Sequence, residues 1–191
     1  METPTLSQEL KNKFIDFYYL SDNTPIDIKI AEELKIEKTI VSRLFKETRN
    51  DDKVKKIQKA RQLWNTKKSN PKLKEKFSPF LENGFKQFYT WFITKERKCF
   101  YCQAEEYKLQ KLFDKEDGIL KTKRKRGETL ELERKNSVLN EYSEKNCEFI
   151  CYFCNNHKSD IISEPDHIKY FANAIKKYID DKYEELQKKT K

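Results

Sequence analysis

Two Cys-x-x-Cys pairs constrain this chain more than any other feature of its sequence. Cys99 and Cys102 form the first pair, and Cys151 and Cys154 form the second. Two intervening residues let both thiolates of a pair turn onto one metal ion from a tight loop. Two such pairs complete the tetrahedral sulfur shell that Zn²⁺ prefers in a closed structural site. We therefore predict a structural zinc ion bound by these four cysteines.

Other interpretations of the cysteines are weaker. A thioredoxin-like redox site needs one Cys-x-x-Cys motif at a strand-to-helix junction, so the second pair argues against it. Disulfide bonds are not expected, because residues 1–12 lack an apolar secretory core and we expect a cytoplasmic protein, in which thiols stay reduced. The fifth cysteine, Cys147, is most simply a small buried residue.

The charge balance indicates an acidic partner. Lys and Arg number 41 against 32 Asp and Glu, which gives a net charge of +9, and nucleic acid is the commonest partner of a basic cytoplasmic protein. A composition that merely reflects an AT-rich genome is the alternative. No apolar run approaches the ~18 residues that a bilayer span needs, so no membrane association is expected.

The N-terminal part of the sequence is predicted to be helical, and residues 28–44 resemble a helix-turn-helix. Ile40, Val41 and Leu44 have the spacing of a second helix that packs on a first one. The residues that would then face outward, suited to phosphates and base edges in a major groove, are Lys38, Thr39, Ser42, Arg43 and Lys46. A helical hairpin that packs only against its own protein would show the same apolar pattern, so both interpretations stay open.

Pro71, after Ser69 and Asn70, marks the predicted domain boundary. Residues 1–70 would form the helical module with a basic connector, and residues 71–191 the second domain. The aromatic residues between positions 77 and 92 are expected to form core rather than a base-stacking surface. Residues 166–186 have helical spacing and are predicted to form an amphipathic cap or a dimer helix.

A basic run, Lys121 to Arg126, is predicted to lie exposed and to clamp phosphates. Its candidate DNA-binding residues are Lys123, Arg124, Lys125 and Arg126. After Gly127, residues 130–134 alternate like a short strand, residues 148–151 form a second one, and a short helix starts at Cys154. Strand, loop, strand and helix held by zinc is the layout of a ββα-metal nuclease site.

In these segments the sequence resembles the HNH endonuclease family and, more narrowly, the PacI-like restriction endonucleases. The matching segments are residues 88–92, 99–102, 132–137, 142–146 and 150–160. The resemblance, which covers roughly residues 85–165, implies a C-terminal zinc-stapled ββα-metal nuclease domain with flanking helices. Together with the N-terminal helix-turn-helix-like module, this domain gives a predicted α+β fold. The resemblance also implies a metal-dependent DNA endonuclease, of the type II-like restriction or phage-defence kind.

The resemblance assigns roles residue by residue. Glu133 takes the position of the acidic ligand of the catalytic metal, and Asn155 that of the last ligand; Mg²⁺ or a similar cation accepts such oxygen ligands. Asn146 takes the position of an asparagine that ties the loop to the helix and holds the general base. Arg134 stands in place of the histidine that activates water, although a guanidinium with a pKa above ~12 cannot accept a proton at neutral pH.

The identity of the base therefore stays open. Tyr142 matches a loop tyrosine that assists or replaces the histidine in PacI-like enzymes, and its ordinary pKa of ~10 would have to be depressed by Arg134 or by the metal. His157 and bulk hydroxide are the alternatives, although His157 could equally be structural. Lys158 would reach a backbone phosphate, and His167 has no assigned role.

Each of these residues also has a structural explanation. Glu133 and Arg134 could be a strand-end ion pair, Tyr142 a loop anchor and Asn155 a helix cap. The missing histidine favours a non-catalytic zinc-stabilised DNA-binding regulator as the rival function; a homing or nicking endonuclease is a variant of the first. Cleavage of double-stranded DNA by one site per chain implies a homodimer or sequential nicking of the two strands. Zn²⁺ and Mg²⁺ are the expected cofactors, with no organic cofactor.

Overall fold

A computed structural model of the chain describes residues 5–122 and 126–189. The chain forms two compact units, which divide between Thr94 and Lys95. The described part is mainly helical, with a single two-stranded antiparallel sheet that is followed by a helix. The predicted α+β class is confirmed at this level. Within the described residues, no helix is long and apolar enough to cross a membrane.

The described residues of the first unit, 5–94, form six helices. They are α1 (Gln8–Tyr19), α2 (Asp27–Leu34), α3 (Lys38–Thr48), α4 (Asp52–Ser69), α5 (Pro71–Lys74) and α6 (Ser78–Thr94). Helices α1, α2 and α3 pack on one another around the fully buried side chains of Phe14, Ile30 and Leu44. The three-residue turn between α2 and α3 begins at Lys35, which adopts a left-handed conformation with φ of 53° and donates its N–H to the carbonyl groups of Ala31 and Glu32. A lysine thus occupies the turn position that often carries glycine.

The positions predicted to face a major groove lie on the outer side of α3. Lys38, Thr39, Ser42 and Lys46 are exposed, while Arg43 is half-buried, with its guanidinium 3.5 Å from the Glu47 carboxylate. The inner side of α3 contributes Val41 and Leu44 to the core, as the apolar spacing predicted. Two packed helices joined by a short turn are therefore present, and their interpretation as a DNA-binding helix-turn-helix stays a prediction.

The boundary between the units differs from the one predicted after residue 70. Pro71 does begin a short helix, α5, and the Asn70 side chain caps it by accepting from the N–H of Lys72 at 3.0 Å. However, the aromatic segment packs back on α4, where the ring of Trp64 lies 5.4 Å from that of Phe77 and 5.3 Å from that of Phe88. Shared aromatic packing therefore keeps residues 71–94 in the first unit, and the functional division of the chain stays a prediction.

Helix α6 is kinked at Gly84, whose φ of 77° an L side chain rarely adopts. The helix resumes at Phe85, whose N–H donates to the Asp22 carboxylate at 2.6 Å. The Arg61 guanidinium lies 3.3 Å from the centroid of the Phe85 ring and donates to the carbonyl groups of Tyr19 and Ser21. The charged α4 segment is thus a helix that ties the loop after α1 to the aromatic core.

The second unit carries both strands. Its elements are α7 (Glu106–Leu112), β1 (Glu131–Arg134), β2 (Cys147–Ile150), α8 (Tyr152–Lys158), α9 (Glu164–Asp166), a π-helical segment (His167–Ala172) and α10 (Asn173–Lys189). In the antiparallel register, Leu132 lies opposite Phe149 and Glu133 lies opposite Glu148. Helix α10 packs on α7, where the Lys108 ammonium lies 2.7 Å from the Asp180 carboxylate. The predicted C-terminal helix is therefore present and covers α7.

Candidate functional site

Four cysteines meet at one point in the second unit. Cys99, Cys102, Cys151 and Cys154 are buried free thiols, and their sulfur atoms all lie within 4.8 Å of one another. The Sγ atoms of Cys102 and Cys151 are 3.7 Å apart. Four sulfur donors at this spacing fit the tetrahedral shell of a structural Zn²⁺ ion. The predicted metal-binding cluster is confirmed, and Cys147 lies outside it, as a buried residue of β2.

The first cysteine pair sits in a tight turn. The N–H of Cys99 donates to the carbonyl of Ala104 at 2.8 Å, and the N–H of Gln103 donates back to the carbonyl of Cys99 at 2.9 Å. Gln103 takes a left-handed conformation with φ of 60°, which reverses the chain. Both sulfur atoms of the pair can therefore point to the same side of the turn.

The second pair is placed by the end of β2 and the start of α8. The N–H of Cys154 donates to Sγ of Cys151 at 3.4 Å, and the N–H of Cys151 donates to Sγ of Cys99 at 3.2 Å. Hydrogen bonds from Cys102 and the other thiols, with this amide, hold the pKa of Cys99 below its ordinary value. The same crowding raises the pKa of Cys151 and Cys154. A divalent cation relieves this competition, because it stabilises all four thiolates together.

Three of the predicted site residues meet at the end of β1. Oε1 of Glu133 accepts from the backbone N–H of Arg134 at 3.0 Å, from Nε of Arg134 at 3.2 Å and from the hydroxyl of Tyr142 at 3.3 Å. The Arg134 guanidinium also lies 5.1 Å from the centroid of the Tyr142 ring and donates to the side chain of Asn140. Glu133, Arg134 and Tyr142 therefore form one connected group.

Tyr142 is buried, and its electrostatics differ from the expectation that Arg134 or a metal would depress its pKa. Burial raises the pKa of Tyr142, and the negative charge of Glu133 raises it further. Arg134 lowers this pKa, but by less than the two opposing effects. In the metal-free protein, Tyr142 is thus a neutral phenol that donates to Glu133 at neutral pH.

Asn146 ties the two ends of the loop between the strands together. Its Nδ2 donates to the carbonyl groups of Asn136 at 3.0 Å and Glu141 at 2.9 Å, and its Oδ1 accepts from the N–H of Asn136 at 3.0 Å. Its own carbonyl accepts from the N–H of Lys135 at 2.7 Å. Asn146 is buried and nearly saturated with hydrogen bonds, so it fixes the shape of the loop that carries Tyr142.

A second polar group includes Glu131, which the sequence reasoning missed. Nδ2 of Asn155, on α8, donates to Oε2 of Glu131 at 2.6 Å. The Arg126 guanidinium forms a two-pronged ion pair with the same carboxylate, with Nε at 2.8 Å from Oε1, and this pairing raises the pKa of Arg126. Glu131 and Glu133 lie on the same face of β1, because side chains alternate along a strand. The alternation of Glu131 and Glu133 in the sequence could have indicated that Glu131 belongs to the same site.

Glu148 adds a third carboxylate to this face of the hairpin, because it lies directly opposite Glu133 in the register. Its Oε1 accepts from the Lys95 ammonium at 2.8 Å. Each of the three glutamates therefore has a basic partner. Arg126 pairs with Glu131, Arg134 with Glu133 and Lys95 with Glu148. A divalent cation that bound to this face would displace at least one of these basic side chains from its glutamate.

The last residues of α8 have other contacts. The ring of His157, an exposed residue, lies 4.3 Å from the ring of Phe171 and 5.5 Å from that of His167. Lys158 is buried, and its ammonium donates to the carbonyl of Lys135 at 3.2 Å. Lys158 thus supports the loop between the strands. Its predicted phosphate contact and the catalytic role of His157 stay predictions.

His167 opens the π-helical segment and is fully buried. Among the described residues, neither of its ring nitrogens has a hydrogen-bond partner. Its ring lies 5.0 Å from that of Tyr101, in the first cysteine turn. Burial lowers the pKa of His167, and the neighbouring His157 adds to this effect. His167 is therefore a neutral core residue at physiological pH.

A buried glutamate, Glu106, joins the first cysteine turn to the start of β1. Its carboxylate accepts from Nε and Nη2 of Arg97 at 2.9 and 2.7 Å, and from the N–H of Leu130 at 3.0 Å. The Arg97 guanidinium also lies 4.6 Å from the centroid of the Phe149 ring in β2. Sequence reasoning missed this pair, since a Glu at the start of a helix looks like an ordinary surface residue.

Part of the basic run lies outside the described residues, namely Lys123, Arg124 and Lys125. On one side of it, the ammonium of Lys121 donates to the carbonyl groups of Asp114 and Lys115, both at 3.0 Å. On the other side, Arg126 is engaged by Glu131. The phosphate-clamp role of the run stays a prediction.

Comparisons with protein-family models, with curated proteins and with solved structures found no match for this chain.

Proposed function

We propose that this protein is a metal-dependent DNA endonuclease that hydrolyses phosphodiester bonds. The observation that carries the proposal is the group of Glu133, Arg134 and Tyr142 at the end of a strand, next to a helix that presents Asn155. The four-cysteine cluster anchors the turn before the hairpin to this helix. A carboxylate and an amide oxygen are the ligand types that Mg²⁺ accepts.

In this proposal, Glu133 and Oδ1 of Asn155 hold the catalytic cation, which when bound supplies charge stabilisation for the phosphate in the transition state. Arg134 stays protonated and adds a fixed positive charge beside the scissile phosphate. Tyr142 holds the Glu133 carboxylate in position through its hydroxyl. Because its pKa is raised, Tyr142 stays a neutral phenol that donates to Glu133 and does not act as the base. His157 deprotonates the attacking water, or hydroxide from bulk solvent attacks directly.

The test of activity uses supercoiled and linear DNA with Mg²⁺ or Mn²⁺. Glu133→Gln keeps the size of the side chain and removes the charged ligand, so we expect cleavage to fall by about two orders of magnitude or more. Glu128→Gln, which changes an exposed glutamate ahead of β1, is the matched control and should cut normally. Cleavage that survives Glu133→Gln, or is absent with both metals, contradicts the proposal.

The exposed face of α3 is proposed to bind the duplex. Arg43→Ala and Lys46→Ala should weaken binding and reduce the slope of log affinity against log salt, by about one for each phosphate that the variant no longer neutralises. Lys13→Ala, which removes an exposed lysine of α1, is the control. If both α3 variants bind DNA with unchanged affinity, α3 serves in packing and does not contact the duplex. Duplex cleavage by one site per chain requires a homodimer or sequential nicking of the two strands, and sedimentation of the protein with and without DNA tests for the homodimer.

A non-catalytic zinc-stabilised DNA-binding regulator is the second candidate. It is favoured by the arginine partners of Glu131 and Glu133, which neutralise both carboxylates without a cation. This candidate predicts DNA binding with full zinc content, no cleavage in Mg²⁺ or Mn²⁺, and no effect of Mg²⁺ on thermal stability. Cleavage of either DNA substrate excludes it.

A further inference from the structure

Three large apolar side chains near the Glu133 group are unusually exposed. Val138 is 89% exposed, Leu139 is 61% exposed and Ile161 is 87% exposed. Val138 and Ile161 line one open groove, which runs between the loop after β1 and the segment after α8, and Leu139 follows Val138 at the tip of that loop. Single exposed apolar residues are common, whereas two apolar side chains in one groove, with a third adjacent in sequence, indicate a surface that contacts another molecule.

The tip that carries Val138 and Leu139 has a defined conformation. The N–H of Val138 donates to the side chain of Asn136 at 2.9 Å, and the N–H of Asn140 donates to the carbonyl of Ser137 at 3.2 Å. Asn140 adopts a left-handed conformation with φ of 52°, and its side chain accepts from Arg134. The two apolar residues are thus held outward by the same loop that joins Arg134 and Tyr142.

The groove carries a small excess of positive charge. Lys135, Lys145 and Lys158 line it, against the acidic residues Asp160 and Glu164. Lys145 is exposed and Lys135 is half-buried, whereas Lys158 is engaged by the Lys135 carbonyl and Glu164 lies 3.5 Å from the Tyr101 hydroxyl. An apolar tip beside the exposed Lys145 and the half-buried Lys135 suits double-stranded DNA, where lysines contact phosphates and an apolar side chain can enter between base pairs.

We propose that Val138 and Leu139 form a wedge that inserts between adjacent base pairs of duplex DNA beside the Glu133 group. Partial unstacking bends the duplex and exposes the backbone next to the inserted residues. Flexible pyrimidine–purine steps such as TA are the easiest to unstack. The wedge therefore favours such steps without contacting base edges. The inference rests on the proposed function only in taking DNA as the substrate, and it does not depend on cleavage.

The experiment uses full-length protein carrying Glu133→Gln, so that the DNA stays intact, and a short duplex of alternating TA steps with one adenine replaced by 2-aminopurine. Unstacking increases the fluorescence of 2-aminopurine, and binding is measured separately by anisotropy. In the same background, Val138→Ser with Leu139→Ser should abolish the fluorescence increase at saturating protein. It should also weaken binding about tenfold, the scale of losing the burial of one or two apolar side chains.

Ile93→Ser, which changes an exposed apolar residue of α6, is the matched control and should keep both signals. The proposal is overturned if saturating protein produces no fluorescence increase, or if the Val138 and Leu139 substitutions leave it intact. It is also overturned if these substitutions abolish only self-association, because the surface is then an interface between copies of the chain. If the protein that retains Glu133 does not cleave DNA while the fluorescence increase is intact, the endonuclease proposal is contradicted and the wedge remains supported.

Discussion

The side-chain amide of Asn155 donates to the carboxylate of Glu131 at 2.6 Å, and this bond fixes which way the amide faces. A carboxylate accepts only from the nitrogen of an amide, so Oδ1 of Asn155 is turned away from Glu131. Glu131 is itself fixed by the two-pronged contact with Arg126. The amide oxygen that we propose as a metal ligand is thus oriented by a second glutamate, two residues before the one proposed to bind the cation.

This arrangement predicts the behaviour of Asn155→Asp. The new carboxylate would lie against Glu131, and repulsion between the two charges should lower the free energy of unfolding by about 1 kcal/mol in buffer without added Mg²⁺. Millimolar Mg²⁺ should restore the stability, because the variant offers the cation one more charged oxygen. Urea unfolding with and without Mg²⁺ measures both effects.

Asn156→Asp is the control, because Asn156 is the exposed neighbour on α8 and its amide donates only to the carbonyl of Tyr152 in the described structure. Its stability should change little and should not respond to Mg²⁺. If Asn155→Asp is as stable as the unmodified protein without Mg²⁺, or is not stabilised by it, then Asn155 does not face a cation site.

Zinc content tests the cysteine cluster. Native mass spectrometry should find one zinc ion per chain, and Cys99→Ser or Cys151→Ser should lose it, because three thiolates and a hydroxyl bind far more weakly. Each loss should also lower the free energy of unfolding by several kcal/mol, since binding of a structural metal is coupled to folding. Cys147→Ser, which changes the buried cysteine of β2 outside the cluster, should keep its zinc. Full occupancy in Cys99→Ser would refute a site made of these four sulfurs.

Glu106→Gln tests the link between the first cysteine turn and β1. The substitution removes the charge that faces the Arg97 guanidinium in a largely buried pair, so the free energy of unfolding should fall by about 2–3 kcal/mol. Glu105→Gln changes the exposed neighbour and should cost less than about 0.5 kcal/mol. Equal stability of the two variants in urea would mean that the Arg97–Glu106 pair does not hold the hairpin.

The cysteine cluster could be predicted from the sequence because its information is local. Two residues between the cysteines of a pair leave few backbone conformations, and two pairs are enough to complete one metal site. Both strands and the helix after them were predicted from the sequence, although the helix begins at Tyr152 and not at Cys154. Glu133, Arg134 and Tyr142 also come together as a group, although the balance of charges around Tyr142 needed the actual burial of its ring.

The remaining contacts depend on how elements cross, which spacing does not reveal. Asn155 meets Glu131 because of the angle at which α8 packs on β1, and nothing in the sequence distinguishes Glu131 from Glu133 as its partner. Lys158 looks like a surface lysine at the end of a helix, yet it is buried under the loop carbonyl of Lys135. The boundary was predicted after residue 70 because Pro71 starts a new helix, which it does. The observed division lies after Thr94, because the aromatic residues beyond that helix pack back on α4, and this tertiary contact is not visible in the sequence.

His167 gives the last prediction, because a buried histidine without hydrogen bonds costs stability at any pH and more at low pH. At about pH 7.5 the ring is neutral, so His167→Phe removes two buried nitrogens that have no hydrogen-bond partner in the described part of the chain. The variant should therefore be at least as stable as the unmodified protein. Burial lowers the pKa of His167 in the folded protein, whereas the unfolded chain binds a proton near the ordinary value of ~6.5.

The unfolded state therefore binds more protons than the folded state as the pH falls from about 7.5 to 5.5, and the unmodified protein must lose stability over this range. His167→Phe should lose less, by an amount on the order of 1 kcal/mol, in urea unfolding at the two pH values. His157→Phe removes the exposed histidine beside it and should retain most of the pH dependence, while any acid release of zinc affects all three proteins alike. An unchanged pH dependence in His167→Phe would show that the ring becomes protonated in place. A loss of zinc at pH 7.5 would instead make His167 part of the support of the cysteine cluster, through its packing against Tyr101.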